Sequence, residues 1–346
     1  MLRYLSAGES HGKSLVAILE GMPAGLAIDV QAINQELKRR QSGYGRGKRM
    51  LIEKDKVEIL TGVRKNITLG SPIAVKIDNK DYKIDRRLPA ILAPRPAHAD
   101  LAGYMKFGFS DIRDVLERAS ARETAIHVAV GALSKMLLRE FKITVSSRVV
   151  VVGGTTNPTA MKVKIDEARA NKDTVGGIFE ISAKNVPVGL GSYVQYDRRI
   201  DARLASHLMS IPGVKAVECG LGFGFAETCG SLVHDSIYFS RKRGFIRETN
   251  NAGGIEGGIT NGEPIILRCC MKPIATLVNP LDSVKMTTKA AVKANVQRSD
   301  TCVVEAAGVV GEAAVAFEIA AALLEKFGGD SIKETKRNFK GYIKSL

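Results

Sequence analysis

At 346 residues, 45% hydrophobic and 25% charged, the chain has the composition of a globular protein and the length of one large domain or two of about 150 residues. Its net charge of +15 favours anionic partners: nucleic acid, acidic lipid or phosphorylated metabolites. The lack of Trp and an aromatic content of 5% argue against nucleic acid, since single-strand binders stack bases on aromatic rings, and no apolar run approaches about 20 residues, so no membrane span is expected.

The five cysteines form no C-x-x-C pair and are odd in number, which fits neither a disulfide framework nor a zinc site. The first residues lack the charged-then-apolar layout of a signal peptide. A reduced, cytoplasmic protein without a metal centre is the expectation.

The chain opens on a marginal strand, L-R-Y-L-S, and then reads A-G-E-S-H-G-K-S over residues 7–14. This satisfies the loose Walker A pattern. A phosphate loop should follow a buried strand, open a helix and be answered by an acid at the end of a later strand. Here Pro23 limits any following helix to about two turns. The later run R-V-V-V-V-G-G (148–154) ends in glycines without an acid. The pattern is therefore set aside, and Ser10 and His11 are considered as residues in their own right.

Helix α-type periodicity follows Asp29, a natural N-cap, with Val30, Ile33 and Leu37 on one face. The helix runs into a basic glycine-rich loop, K-R-R-Q-S-G-Y-G-R-G-K-R-M (38–50), carrying Arg39, Arg40, Arg46, Lys48 and Arg49. A solvated basic loop, an RNA-binding segment like the RGG type, and a mobile lid closing over a phosphorylated, carboxylated small molecule all fit it, although it is one short interruption in a folded chain and not a low-complexity tail. Further along, His98 sits beside Arg95 in A-P-R-P-A-H-A-D (93–100), and Ser120 beside Arg122 in E-R-A-S-A-R-E-T-A (117–125). Asp300 follows Arg298 in Q-R-S-D-T (297–301), and Lys272 opens a Pro-containing run behind a glycine-rich turn (250–262). Histidines or carboxylates next to arginines suit a site that binds several negative charges and also moves protons. His127 lies in an apolar helix and reads as a packing residue. His207 and His234 carry no local argument.

Four landmarks occur twice in the same order. Apolar segments end at Pro23-Ala24-Gly25-Leu26 and Pro187-Val188-Gly189-Leu190. Helical stretches follow, the second with Ile200, Leu204 and Leu208 on one face. Strand-like runs come next (56–62 with 69–77, and 214–220 with 261–269), and apolar helices close each half (132–141 and 319–327). A duplicated α/β unit of halves 1–142 and 143–346 is expected, two similar layers sharing a helical core in one cohesive body. A site is expected where the halves meet.

Taken together the motifs resemble the chorismate synthase family: G-E-S-H-G-K-S-L-V-A-I-L-E-G-M-P (8–23), E-R-A-S-A-R-E-T-A-I-H-V-A-V-G-A (117–132) and R-S-D-T-C-V-V-E-A-A-G-V-V-G-E-A-A (298–314), with R-P-A-H-A-D and the basic loop in support. The resemblance spans nearly the whole chain. It implies an α/β (α+β) fold, a β-α-β sandwich with internal pseudo-two-fold duplication over residues 1–346, and a homotetramer. It implies a lyase converting 5-enolpyruvylshikimate 3-phosphate to chorismate and phosphate by 1,4-anti elimination, the last common step of the shikimate pathway. Reduced FMN is implied as cofactor without net redox change, and whether NADPH or an external donor reduces it is left open.

By position, the resemblance assigns His11 to protonation of the leaving phosphate, His98 to the charge of the reduced flavin, and Asp300 to the proton lost by the substrate ring. Ser10 and Ser120 support these transfers. Arg40, Arg46, Arg49, Arg95 and Arg122 are implied to bind substrate, with Arg40 and Arg46 also meeting NADPH. Arg118, Ala119, Ser120, Pro212, Gly213, Gly257, Lys272, Pro273, Ile274, Ala275, Thr276 and Arg298 match FMN-binding stretches, Pro212 and Gly213 more weakly and from a neighbouring subunit. The short stretch before Arg95 is trimmed relative to many family members.

Overall fold

The same supersecondary unit is built twice along the chain. The structure, a computed structural model, describes residues 1–47, 54–82, 89–241, 244–296 and 300–346. In the first half, strands β1 (Arg3–Ala7) and β2 (Ser14–Glu20) precede helix α1 (Val30–Gln41). Strands β3 (Val57–Ile59) and β4 (Ile73–Asp78) follow, and helix α2 (Thr124–Arg139) closes the unit. The second half repeats this as β5 (Thr144–Val152), β6 (Gly177–Lys184), α3 (Ile200–Met209), β7 (Val214–Cys219), β8 (Ile265–Met271) and α4 (Val304–Phe327). The two sheets have the same order, β1-β2-β4-β3 and β5-β6-β8-β7. Every neighbour in them is antiparallel.

The expected helix starts are present. Asp29 Oδ1 accepts from Gln31 N and Ala32 N at 2.9 and 3.3 Å, and Ile33 and Leu37 are buried beneath α1. Ile200, Leu204 and Leu208 are buried under α3. The segment after Ser14, where Pro23 left room for two helical turns at most, forms no helix. It is strand β2, because Leu15, Ala17 and Leu19 alternate into the core while Ile18 and Glu20 face out. This period of two outweighs helix propensity.

The two Pro-x-Gly-Leu segments form hydrogen-bond knots with the same set of partners. Thr68 Oγ1 donates to Pro23 O at 2.6 Å and accepts from Leu26 N at 2.9 Å, while Gly25 N donates to Thr68 O at 2.9 Å. Thr260 Oγ1 donates to Pro187 O at 2.6 Å and accepts from Leu190 N at 2.8 Å, while Gly189 N donates to Thr260 O at 2.9 Å. Each threonine ends a tight hairpin whose two tip residues have positive φ: Lys65 and Asn66 (50° and 60°), and Gly257 and Gly258 (58° and 83°). Two left-handed residues in a row define the hairpin turn that matches strand twist.

Helices α2 and α4 lie against each other between the sheets, α2 on β2 and β4, α4 on β5 and β6. They touch at Gly131, where a Cβ would overlap Ala313. Helix α4 is long and apolar enough to cross a membrane, which the sequence reading did not anticipate, but 89% of its most apolar window is buried inside this layer. One cluster of buried side chains runs from Leu2 to Ile332 across both halves.

A carboxylate is built into that layer. Glu312 of α4 is fully buried and accepts from Arg39 Nη1 and Nη2 at 2.8 and 2.7 Å, Lys135 Nζ at 2.5 Å and Ser147 Oγ at 2.6 Å. Burial alone would raise its pKa; these donors instead hold it at about 2. A carboxylate depressed on folding stabilises above its ordinary pKa and loses that contribution as pH falls. Stability of the wild type should therefore be lost progressively between about pH 5 and pH 2. Glu312→Gln should be less stable at neutral pH, by ~3–5 kcal/mol, with a shallower acid limb. Denaturant unfolding at a series of pH values checks both. A second expectation comes from the repeated knot. Thr68→Val and Thr260→Val each strand the same two backbone groups and should cost roughly 1–3 kcal/mol apiece, equally in the two halves. Equilibrium unfolding in which only one of the pair has an effect would contradict the equivalence.

Candidate active site

A cavity of about 720 Å³ opens where the halves meet. Equivalent connections from each half line it. The end of α1 and the chain beyond it bring Arg40, Arg46 and Gly47, and the chain after α3 brings Ile211, Pro212 and Gly213. The chain before α2 brings Ala119, Ser120 and Arg122, and the chain before α4 brings Asp300 and Val303. The strand end of β8 continues into Lys272–Thr276, and the β1–β2 turn and loop 93–100 add Ser10, His11, Arg95 and His98. Thr124 of α2, and Ala306 and Ala307 of α4, lie on the wall, so both long helices begin at the cavity. Their N-terminal dipoles favour an anion there.

The arginines are held by carboxylates behind them. Asp55, whose side chain is fully buried, accepts from Arg122 Nη1 with both oxygens at 2.7 and 2.8 Å and pairs with Arg40 Nη1 at 3.5 Å. Arg40 is also fixed by Thr124 Oγ1 at 3.0 Å and Ala121 O at 3.2 Å. Burial lowers Arg40 to about 9 against the attraction of Asp55, so it remains charged at pH 7. Burial likewise lowers Arg46. Arg95 is forked onto Asp100 through Nε at 2.8 Å and Nη2 at 3.0 Å, and its Nη1 reaches Thr276 Oγ1 at 2.7 Å, joining loop 93–100 to the second half. Lys272 is lowered by burial and by the nearby Lys215 and Arg95. Like charges gathered on one cavity wall are stabilised by an anionic ligand.

Both candidate histidines are oriented by carboxylates. His11 Nδ1 lies 2.8 Å from Glu117 Oε1, and its backbone N–H donates to Glu117 Oε2 at 2.7 Å. With Nδ1 engaged, Nε2 is the ring nitrogen left for a ligand. His98 Nδ1 lies 2.5 Å from Asp100 Oδ1. Burial would raise Asp100, but hydrogen bonds from His98 and Arg95 hold it well below the usual carboxylate range. Ser120 Oγ caps the turn at Arg122 N at 3.3 Å, and Ser10 is buried with its N–H on Glu117 O at 2.8 Å.

The described part of the basic loop is anchored rather than open. Tyr44 Oη donates to Asp166 at 2.7 Å on the helix Pro158–Ala170, and Gly45 O accepts from Thr301 N at 2.8 Å. Asp300 accepts from Gly47 N at 2.5 Å and pairs with Arg46 at 3.0 Å. The candidate lid over residues 38–50 is thus tied down as far as Gly47; Lys48 and Arg49 lie outside the described residues, as does Arg298.

Most of the expected site residues converge on this one cavity, Pro212 and Gly213 from the same chain as the rest. Two do not line it. Arg118 turns to Glu123 at 2.7 Å and to the carbonyls of Gly8 and Ser6. Gly257 occupies the hairpin tip described above, where positive φ explains the glycine. Lys13 is exposed and does not line the cavity, and the Walker-like octet is the turn between two antiparallel strands. His127 is more polar in setting than expected, within reach of Ser6 Oγ at 3.2 Å and Glu123 at 3.2 Å. Sequence reasoning missed Asp55, Asn79, Asp100, Glu117 and Lys215. Asp100 and Glu117 stand inside the quoted motifs beside His98 and Arg118, whereas Asp55, Asn79 and Lys215 carry no local signal.

A cavity with cations on its walls and two carboxylate-held imidazoles is suited to an enzyme that grips a polyanionic small molecule and shifts protons on it. The comparison with known proteins is specific. The chain matches the family model described as chorismate synthase over residues 2–324. It is 55% identical over 344 residues to the chorismate synthase of Thermoanaerobacter pseudethanolicus, covering 99% of this chain and 98% of that one. It is 50% identical over 390 residues to that of Geobacter metallireducens, covering 100% and 99%. The latter alignment exceeds the 346 residues here, so that relative carries insertions which this chain lacks. A crystal structure of a chorismate synthase aligns at a TM-score of 0.83 and 43% identity, covering 99% of this chain and 98% of that one. The chain belongs to the chorismate synthase family.

The shared carboxylate behind Arg40 and Arg122 gives a direct test of anion binding. Asp55→Asn leaves two buried guanidinium groups without their counter-charge and should cost ~3–5 kcal/mol. Sulfate or phosphate should then raise the melting temperature of the variant more than that of the wild type at matched ionic strength. Equal shifts would mean that these arginines are not the anion site.

Proposed function

We propose that the protein converts 5-enolpyruvylshikimate 3-phosphate to chorismate and phosphate by 1,4-anti elimination, with reduced FMN as cofactor and in the cytoplasm. The observation that carries this reading is the meeting, in one cavity, of Arg40, Arg46, Arg95 and Arg122 with two histidines each held by a carboxylate. A substrate with two carboxylates and a phosphate needs several guanidinium forks to neutralise and orient it. His11, fixed through Nδ1 by Glu117, offers Nε2 to protonate the departing phosphate. Asp300, restrained by Arg46 and Gly47, accepts the proton lost by the substrate ring.

The cavity also suits the cofactor. Its 720 Å³ lies in the upper part of the ~300–1,000 Å³ range of small-molecule sites, leaving room for a second ligand. Leu116, Ile211, Ile274, Val303 and Val310 supply an apolar wall for a flat ring system. Lys215, Lys272 and Thr276 supply donors for a phosphate. When bound there, reduced FMN would supply electron density for C–O cleavage without net redox change. His98, between Asp100 and Arg95, balances the charge of that ring system. Arg40 and Arg46 are the proposed contacts for NADPH as reductant.

A homotetramer is proposed with this function. Exposed Phe223, Leu232, Phe239 and Phe245 support burial against further copies of the chain.

Anaerobic incubation with reduced FMN and the enolpyruvyl substrate should release chorismate and phosphate in equal amounts; no chorismate would overturn the proposal. His11→Ala and His98→Ala should each lower turnover by ~10²- to 10⁴-fold. Lys13→Ala should leave turnover near the wild-type value. NADPH oxidation by the purified protein with FMN distinguishes self-reduction from an external reductant.

A further inference from the structure

Asn79 stands immediately after β4, behind the cavity wall, and is 7% exposed. Its Nδ2 donates to the carbonyl oxygens of Glu9 at 3.0 Å and Gly12 at 2.8 Å, the two residues that bracket Ser10 and His11. Its Oδ1 accepts from Arg122 Nε at 2.9 Å. Its own N–H donates to Lys13 O at 3.0 Å. Carbonyl oxygens only accept and a guanidinium only donates, so these partners fix which way the amide faces. One side chain therefore ties the turn that carries His11 to the arginine that Asp55 anchors.

We infer that Asn79 is a positioning residue that sets the β1–β2 turn, and through it His11, in register with Arg122. Glu117 fixes the imidazole from one side, through Nδ1 and the His11 N–H. It does not hold the turn's carbonyls; Asn79 does so at Glu9, Gly12 and Lys13. Because Asn79 accepts from Arg122 while donating to the turn, displacement of either side is passed to the other through a single rigid amide. A misplacement of about 1 Å in a proton donor costs turnover on the order of 10²-fold. The inference rests on the reading of His11 as the proton donor.

Two variants separate its two functions. Asn79→Asp keeps an acceptor for Arg122 but loses both donations to the turn. It should lower kcat by about 10²-fold while KM for the enolpyruvyl substrate stays near wild type. Asn79→Ala loses the acceptor as well and should also raise KM. In a His11→Ala background, Asn79→Asp should cost little further, because the group it positions is gone. Amide hydrogen exchange should accelerate at Ser10–Gly12 in both variants and stay unchanged in α2. Wild-type kcat in Asn79→Asp, a full additional loss in the His11→Ala background, or unchanged exchange at Ser10–Gly12 would each overturn the inference. If Asn79→Ala does not fold, the near-isosteric Asn79→Asp carries the test. If the wild type forms no chorismate, the proposed function falls, and the exchange measurement still decides whether Asn79 holds the turn.

Discussion

The contact on which the rest depends is the crossing of α2 and α4 at Gly131. With no side chain there, Ala313 packs directly against the backbone, and a Cβ at Gly131 would force the two central helices apart. That crossing sets the distance between the two halves. Because both helices begin at the cavity, it also sets the width of the cavity and the convergence of their dipoles. The ion cluster around Glu312 locks the same crossing from the other side. It joins α1, α2, α4 and β5 through Arg39, Lys135 and Ser147. Arg39 precedes Arg40, so the residue that pins α1 to the core is adjacent to one that faces the cavity.

Duplication explains how the site is asymmetric on a symmetric frame. Both halves keep the threonine knot, the sheet order and the central helix. They differ in the connection between their first two strands. In the first half it is the six-residue turn that carries Ser10 and His11. In the second half it is longer and holds the helix Pro158–Ala170, which receives Tyr44 through Asp166. One copy of the connection presents an imidazole to the cavity. The other clamps the basic loop that the first half sends across. A frame with two equivalent positions can thus give one to chemistry and the other to support.

The charge pattern follows the same economy of contacts. The cavity arginines are each paired with a carboxylate: buried Asp55 behind Arg40 and Arg122, buried Asp100 behind Arg95, and the half-buried Asp300 beside Arg46. The carboxylates set guanidinium direction and reduce the cost of burying positive charge. They do not neutralise the cavity, because Lys215 and Lys272 add positive charge to its wall. The result is a cavity wall on which positive charge is held in fixed directions.

The sequence by itself determined the duplicated frame. Period-2 and period-3.6 patterns, the paired Pro-x-Gly-Leu segments and the Asp29 cap are local signals, and a local signal survives in a one-dimensional string. It also marked Ser10, His11, His98, Ser120, Arg122 and Asp300, since each stands in a short motif next to another charged or polar group. Arg118 and Gly257, which the resemblance implies for FMN, stand outside the cavity lining. Tertiary structure alone decided the residues that hold the site in place. Asp55 meets Arg122 across 67 positions, Asn79 meets Gly12 across another 67, and Glu117 meets His11 across 106. Such partners are chosen by where the folded backbone brings an acceptor to a donor, and no residue near them in the chain records that meeting. The Walker-like octet belongs to both accounts: its letters are those of a phosphate loop, but pairing of β1 with β2 makes it a turn in which His11 faces the cavity and Lys13 faces water.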